Sequence, residues 1–224
     1  MAKAERRGLA RGRKKQTRAK RKRHLIVSNG MVTETEYFNF LISEMDVRGN
    51  ELYRHIDGDP LKVAKQLSRE LDNDKKAVKA GEIEELSSVW IVVDSDEFRN
   101  LSAAEREAKA KGVRLAISNP CFEVWLIDHV SPCPDSFAST PQCEKRARDL
   151  GVLKSTDPKR SSASKFKSVN LAVIEGKKDQ ALVNAAKHNL DDKLRVREAN
   201  PDNVGSYQVW TDMPDLVNDV FGSS

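Results

Sequence analysis

Continuous apolar runs alternate with amphipathic stretches through the first 130 residues of the chain. The clearest run, at residues 89–93, has no polar position, which is typical of a strand covered by helices on both faces. Residues 24–27 and 113–118 are similar runs, and residues 47–56 indicate a more polar strand. Apolar residues at helical spacing predict the intervening helices, at residues 33–45, 61–71 with a continuation to 80, and 101–112.

Capping and turn residues set the expected helix boundaries. Thr33 and Glu36 have the spacing of a capping box, with Thr33 as the N-cap of the first helix. Pro60 suits the first position of the second helix, because its missing N–H has no partner to lose there. Gly81 and Gly112 are expected to end the second and third helices.

Strands that alternate with helices form mainly parallel sheets, so the sequence predicts an α/β fold with helices flanking the sheet. In such sheets, ligands bind at the carboxyl ends of the strands. Three polar segments should meet there, at residues 29–30, 94–97 and 118–119. This edge of the sheet is therefore where we expect a functional site.

The pattern changes after His129, where Pro132, Pro134 and Pro141 mark a loop. Helices are predicted at residues 142–150, 169–190 and 213–221, and Gly176 weakens the second of them. We expect three regions: a basic tail at residues 1–24, an α/β core at 25–130, and a helical C-terminal part of the same domain at 131–224.

The net charge of +5 is unevenly distributed. Residues 1–24 contain twelve Lys or Arg and one Glu, which gives +11 and leaves −6 for the remainder. Such dense like charge predicts a disordered tail. The tail would contact nucleic-acid phosphates, or it is a solubilising segment without a specific partner. The cations proposed to contact substrate are Arg13, Lys14, Lys15, Arg21, Lys22 and Arg23.

The cellular location is predicted by excluding the secreted and membrane-bound alternatives. The three cysteines contain no CxxC pair, which argues against a disulfide scaffold or a zinc site and favours reduced thiols. No apolar run reaches the roughly 18 residues of a membrane span, and the basic N-terminus has no apolar segment of a secretory signal. We therefore expect a cytoplasmic protein without membrane contact.

Asp94 and Asp96 are the first candidates for chemistry. Alternate residues just after a buried strand can direct two carboxylates into one site, where they repel each other unless a cation lies between them. Mg²⁺ prefers such oxygen ligands and keeps several waters. The alternative is a solvated acidic loop, since the Asp-x-Asp pattern alone is common.

Three blocks of the chain resemble motifs of the RloB family. Residues 24–38 resemble a strand followed by Glu-Gly, two variable residues, Thr-Glu, two more residues and Tyr-Phe. Residues 90–97 resemble a strand leading into Asp-x-Asp-Glu, and residues 118–129 match the third motif closely. The C-terminal half matches only loosely, in Asn200-Pro201 and the last helix. RloB proteins are similar to the Toprim nuclease domains of the overcoming-lysogenisation-defect family and of phage-defence effectors, so the resemblance implies a Toprim-like core.

The resemblance also implies roles for individual residues. Asp94, Asp96 and Glu34 would bind Mg²⁺ or Mn²⁺, and Glu123 would be a further ligand or a base. Asn119 would orient substrate or a ligand. Lys159 or Lys165 would stabilise charge on the cleaved phosphate, unless they belong to a solvated serine-rich loop. His129 would be an acid, a base or a phosphate contact, or else a buried, hydrogen-bonded core histidine.

One residue departs from the motif. The Toprim acid that usually follows the first strand is Glu, and here it is Asn29. An amide supplies no negative charge, although its carbonyl can bind a metal. Three explanations stay open: this branch uses Asn with charge from Glu34 and Glu123, the sequence carries an inactivating substitution, or the protein binds without catalysis.

Two functions follow as expectations. The first is a Mg²⁺-dependent nuclease that acts in bacterial anti-phage defence or abortive infection, with RNA, including tRNA, preferred over DNA. The second is a catalytically impaired subunit that binds nucleic acid or an AAA- or ABC-type ATPase. An ATPase partner and a homo-oligomer are compatible with both.

Overall fold

A computed structural model describes residues 23–44, 51–96, 98–154 and 167–222. The basic tail before Arg23 lies outside these ranges, as do several predicted contact residues. They are Arg13, Lys14, Lys15, Arg21, Lys22, Lys159 and Lys165.

Strands and helices alternate through the first half, and short helices dominate the second. The first half contains β1 (His24–Ser28), α1 (Thr33–Glu44), β2 (Glu51–His55), α2 (Pro60–Ala80), β3 (Ser88–Asp94), α3 (Leu101–Lys109), β4 (Val113–Asn119) and α4 (Glu123–Asp128). The second half contains α5 (Thr140–Asp149), α6 (Leu171–Ile174), α7 (Lys178–Ala185), α8 (Asp191–Ala199), β5 (Trp210–Thr211) and α9 (Met213–Phe221). No helix in the described ranges is both long enough and apolar enough to cross a membrane.

The five strands form one mixed sheet in the order β2-β1-β3-β4-β5. The first four are parallel and β5 pairs with the end of β4 in the antiparallel direction. The predicted α/β fold with a mainly parallel sheet flanked by helices is therefore confirmed. Because β1, β3 and β4 are adjacent and parallel, Asn29, Asp94 and Asn119 lie at the same edge of the sheet.

Side chains of successive strand residues point to opposite faces and build two cores. On β3, Val89, Ile91 and Val93 pack with residues of α2 and α3. Trp90 and Val92 pack on the other face with residues of α1, α4 and α9. The uninterrupted apolar run of β3 thus reflects burial on both faces.

The boundary predictions were partly right. Helix α2 is one continuous helix that starts at Pro60, with the Asp59 side chain accepting from the Leu61 N–H at 2.9 Å. It ends at Gly81, which has φ +73°, a left-handed conformation that favours glycine. The predicted helix at 169–190 is wrong, because the chain breaks at Gly176 with φ +67° and forms α6 and α7. Helix α8 and strand β5 were not predicted.

The predicted capping box at Thr33 and Glu36 is also wrong. Thr33 is the first residue of α1, and its hydroxyl donates to the Lys167 carbonyl at 3.0 Å. The Glu36 carboxylate accepts from the Ser168 hydroxyl and, at 2.7 Å, from the Val169 N–H. Both side chains therefore bind a distant segment of the chain, instead of capping their own helix.

Candidate functional site

A cavity of about 400 Å³ opens at the carboxyl ends of β1 and β3. Its polar lining combines three carboxyl groups, an amide and an ammonium group: Glu34, Asp94, Glu123, Asn29 and Lys167. Met31 and Phe122 contribute apolar surface, and Met31 is 65% exposed. We call this cavity the acidic pocket. It brings together Asn29, Glu34, Asp94 and Glu123, four of the residues singled out in the sequence.

A network of hydroxyl groups supports the turn between β1 and α1. The Tyr53 hydroxyl lies 2.6 Å from the Ser28 hydroxyl and 2.8 Å from that of Thr35. Both of those hydroxyls can donate to the Gly30 carbonyl, at 3.3 and 3.4 Å. Burial raises the pKa of Tyr53, and the nearby charge of Glu34 adds to this, so the phenol stays protonated. The network stabilises the backbone of the turn that contains Asn29 and leads to Glu34.

Asp94 and Asp96 occupy different positions. Asp94 lines the acidic pocket, whereas Asp96 is exposed and accepts a hydrogen bond from Thr140, the first residue of α5. Ser95 between them is fully buried, and its hydroxyl donates to the Asn119 side-chain oxygen at 2.9 Å. The Asn119 amide nitrogen donates to the Val204 carbonyl at 2.8 Å. Buried Asn119 therefore positions the loop that carries both aspartates.

Glu123 is the most buried carboxylate of the acidic pocket, with 2% of its surface exposed. Its Oε1 lies 3.1 Å from the Lys167 ammonium nitrogen, and its buried Oε2 has no hydrogen-bond partner among the described residues. Burial of Lys167 favours the neutral amine, but Glu123 and Glu144 outweigh this and raise its pKa. Lys167 is therefore a cation held against an anionic pocket.

Lys167 is a charged residue of the acidic pocket that the sequence did not single out. It lies in the same basic stretch as Lys159 and Lys165, and only the structure distinguishes it. The side chains of Thr33 and Glu36 hold residues 167–169 against the start of α1. The available sequence signal was the polar pair Thr33 and Glu36, which we interpreted as a local cap.

A family model for RloB-like proteins matches residues 24–220. The chain belongs to the RloB-like protein family. No curated protein and no solved structure matches the chain. The match to the RloB-like family extends through the C-terminal half, so it includes α5 and the segment that carries Lys167.

The acidic pocket offers oxygen donor atoms for the expected cation, from Asn29, Glu34, Asp94 and Glu123. No group of three or more His, Cys, Asp or Glu side chains in the described part of the chain is arranged to hold a metal ion. A Mg²⁺ site requires fewer protein ligands, because the ion binds through one or two carboxylates and completes its coordination shell with water and substrate phosphate. The Oε2 atom of Glu123 is in addition a buried acceptor without a hydrogen-bond partner among the described residues. The oxygen donors of this RloB-like chain thus fit Mg²⁺ or Mn²⁺ bound largely through water, and they do not form an all-protein cage.

His129 and Arg23 lie away from the acidic pocket. His129 is 2% exposed and contacts the rings of Tyr37 and Trp125, with Nδ1 3.0 Å from the Trp125 carbonyl oxygen. It lines a separate cleft with Lys177 and Asn184. Burial lowers the pKa of His129 to about 4, so the ring is neutral at pH 7. Arg23 precedes β1, at the opposite edge of the sheet, and donates to the Glu84 carbonyl at 2.5 Å.

Proposed function

We propose that this RloB-like protein is a metal-dependent nuclease with a Toprim-like core, acting in the cytoplasm as an effector of bacterial anti-phage defence. One observation carries the catalytic part of the proposal. Glu34, Asp94 and Glu123 line the same cavity as the Lys167 ammonium, at the sheet edge where ligands of parallel α/β folds bind. The defence role and the preference for RNA, including tRNA, over DNA rest on the family resemblance.

The proposed roles of the pocket residues follow from the burial and charge of their side chains. Glu34 and Asp94 would hold Mg²⁺ or Mn²⁺, and the bound cation would supply Lewis-acid activation of water and of the phosphate. The Lys167 ammonium would stabilise negative charge that develops on the phosphate oxygens during cleavage. Glu123, whose Oε2 has no hydrogen-bond partner within the described ranges, would orient the attacking water by accepting a hydrogen bond from it. Asp96, near Thr140, would contact an outer water of the cation.

Asn29 favours the second candidate function. It lines the acidic pocket at the position where the family motif has an acid, and its amide adds no charge for cation binding. A chain with a weakened cation site would act as a nucleic-acid-binding or ATPase-binding subunit of a defence complex. An ATPase partner and self-association are proposals under either function.

The test is cleavage of labelled tRNA and plasmid DNA with Mg²⁺ or Mn²⁺, using the unaltered protein, Asp94→Ala and Asn29→Glu. The nuclease proposal expects cutting by the unaltered protein that Asp94→Ala abolishes and chelation stops. Cutting that survives Asp94→Ala would refute the cation assignment. Cutting by Asn29→Glu alone would favour the non-catalytic subunit. Asp149→Asn, an exposed acid on α5, is the matched control and should cut like the unaltered protein.

A further inference from the structure

One face of helix α5 contacts residues in and next to the acidic pocket, although no residue of α5 lines the cavity itself. Thr140, Cys143 and Glu144 have the i, i+3 and i+4 spacing that places side chains on one side of a helix. Thr140 contacts Asp96, and Cys143 is buried in contact with Cys121, two residues before Glu123. None of the three motifs that resemble the RloB family includes this helix.

Glu144 from this face holds Lys167 by an ion pair. The Lys167 nitrogen lies 2.7 Å from Glu144 Oε1, closer than the 3.1 Å that separates it from Glu123 Oε1. The other oxygen of Glu144 accepts from Arg148 at 2.9 Å, one helical turn along α5. Both oxygens of the Glu144 carboxylate are therefore engaged, which restricts the rotamers that this side chain can adopt.

The two carboxylate oxygens of Glu123 differ in their contacts. Lys167 approaches only the Oε1 atom of Glu123, and the buried Oε2 has no partner in the described part of the chain. Without Glu144, Glu123 would be the remaining anionic partner of the ammonium group among the described residues, and the ammonium would shift towards it. That shift would draw Lys167 away from the position between the two glutamates and place its charge closer to the buried Glu123 carboxylate.

We propose that Glu144 is a positioning residue, which holds the Lys167 ammonium between the two glutamates and away from the buried Oε2 atom of Glu123. The catalytic consequence rests on the proposed nuclease function, whereas the position of Lys167 does not. Glu144 would touch neither substrate nor cation. Its effect on the reaction would act entirely through Lys167.

The first experiment measures the position of Lys167 without using activity. The full chain is acylated at one fixed pH with an amine-reactive acetylating reagent, and labelling of Lys167 is followed by peptide mass spectrometry. Loss of one partly exposed ion pair is expected to change the Lys167 labelling rate in Glu144→Gln about two- to fivefold. Asp149→Asn removes an exposed charge from the same helix that is not one of the ion-pair partners of Lys167, and it should leave the rate unchanged. An unchanged rate in Glu144→Gln would overturn the proposal whether or not the protein cuts nucleic acid.

The second experiment is a double-mutant cycle on the cleavage rate. Glu144→Gln is expected to lower kcat about tenfold with little change in KM, because a displaced catalytic group loses more transition-state than ground-state binding. Glu144→Asp retains the charge and should recover part of the rate. In a Lys167→Met background, Glu144→Gln should cause no further loss. Equal losses in both backgrounds would show that Glu144 acts directly and would contradict the positioning role. Absence of cleavage by every variant would refute the nuclease function. The labelling result would then decide the position of Lys167 by itself.

Discussion

The carboxylate of Glu34 lies against the α-carbon of Gly30, in the space that a β-carbon would fill in any other residue. Gly30 belongs to the turn between β1 and α1, and Glu34 is 6% exposed near the start of α1. The missing side chain of Gly30 therefore allows a charged group to enter the acidic pocket. Close approach of Glu34 therefore accounts for the glycine at this position, because the backbone of Gly30 is not left-handed.

Gly30→Ala should therefore displace Glu34 while leaving the fold intact. The added methyl group meets the far end of a flexible side chain, which can rotate away at small cost to stability. We expect cleavage, or Mn²⁺ affinity measured by electron paramagnetic resonance, to fall at least about tenfold, because even disturbing the groups around metal ligands typically costs that much. Gly205→Ala is the control, because a β-carbon there meets nothing within 4 Å. Normal Mn²⁺ affinity and cleavage in Gly30→Ala would show that Glu34 is not used.

A buried ion pair fixes the C-terminal helices to the sheet. Asp212 Oδ2 accepts from the Arg197 guanidinium, at 2.6 Å from Nη2, and from the Ile117 N–H at 3.0 Å. Its Oδ1 accepts from the Trp210 indole at 2.7 Å. Asp212→Ala would leave the buried Arg197 charge paired only with Glu105 and the Ile117 donor unsatisfied, so we expect a loss of about 3–5 kcal/mol in the free energy of unfolding. Chemical denaturation measures this value.

The control for Asp212→Ala is Asp215→Ala, an exposed acid in the first turn of the same helix, α9. It should change stability by no more than about 0.5 kcal/mol, as is usual for surface positions. A similarly small effect of Asp212→Ala would mean that water replaces its hydrogen bonds and that the pair does not anchor the helices.

These contacts show what sequence patterns can and cannot predict. Apolar periodicity identified β1, β3, β4 and the closing helix α9, because burial on a sheet or against a helix imposes that periodicity on local sequence. The same reasoning placed Asn29, Asp94 and Asn119 at one edge of the sheet. It failed at Thr33 and Glu36, since their partners are more than 130 residues away and no local rule records such a contact.

Lys167 and β5 illustrate the same limit. Lysines in a polar, serine-rich stretch look alike in sequence, and only the docking of residues 167–169 on α1 distinguishes Lys167. Strand β5 has two residues and pairs only with Ser118 and Asn119, so it is too short to produce a periodic signal. Both features depend on tertiary contacts, which override local propensity.

The basic tail gives a prediction that does not depend on the acidic pocket. Deleting residues 1–22 removes eleven Lys or Arg residues and one Glu. If several of these cations contact phosphates, the deletion should weaken nucleic-acid binding and flatten the dependence of log K on log salt, by about 0.7–0.9 per lost contact. Binding is measured by fluorescence anisotropy on tRNA and duplex DNA over a salt series. Unchanged affinity and an unchanged slope would assign the tail to solubility alone.

Stability at acidic pH should depend on His129. Burial lowers its pKa in the folded chain to about 4, against 6.5 for an ordinary histidine. Between these two values the unfolded chain binds the proton and the folded chain does not, so the free energy of unfolding falls as the pH drops from about 6.5 to about 4. Between pH 7.5 and pH 5 this amounts to about 2 kcal/mol. His129→Gln removes the titrating ring, so its loss over the same interval should be smaller by that amount. The neighbouring contact between Asp128 and His188 is present in both proteins and cancels in the comparison. Equal losses in the two proteins, measured by urea denaturation at both pH values, would show that the ring of His129 takes up its proton without unfolding the chain.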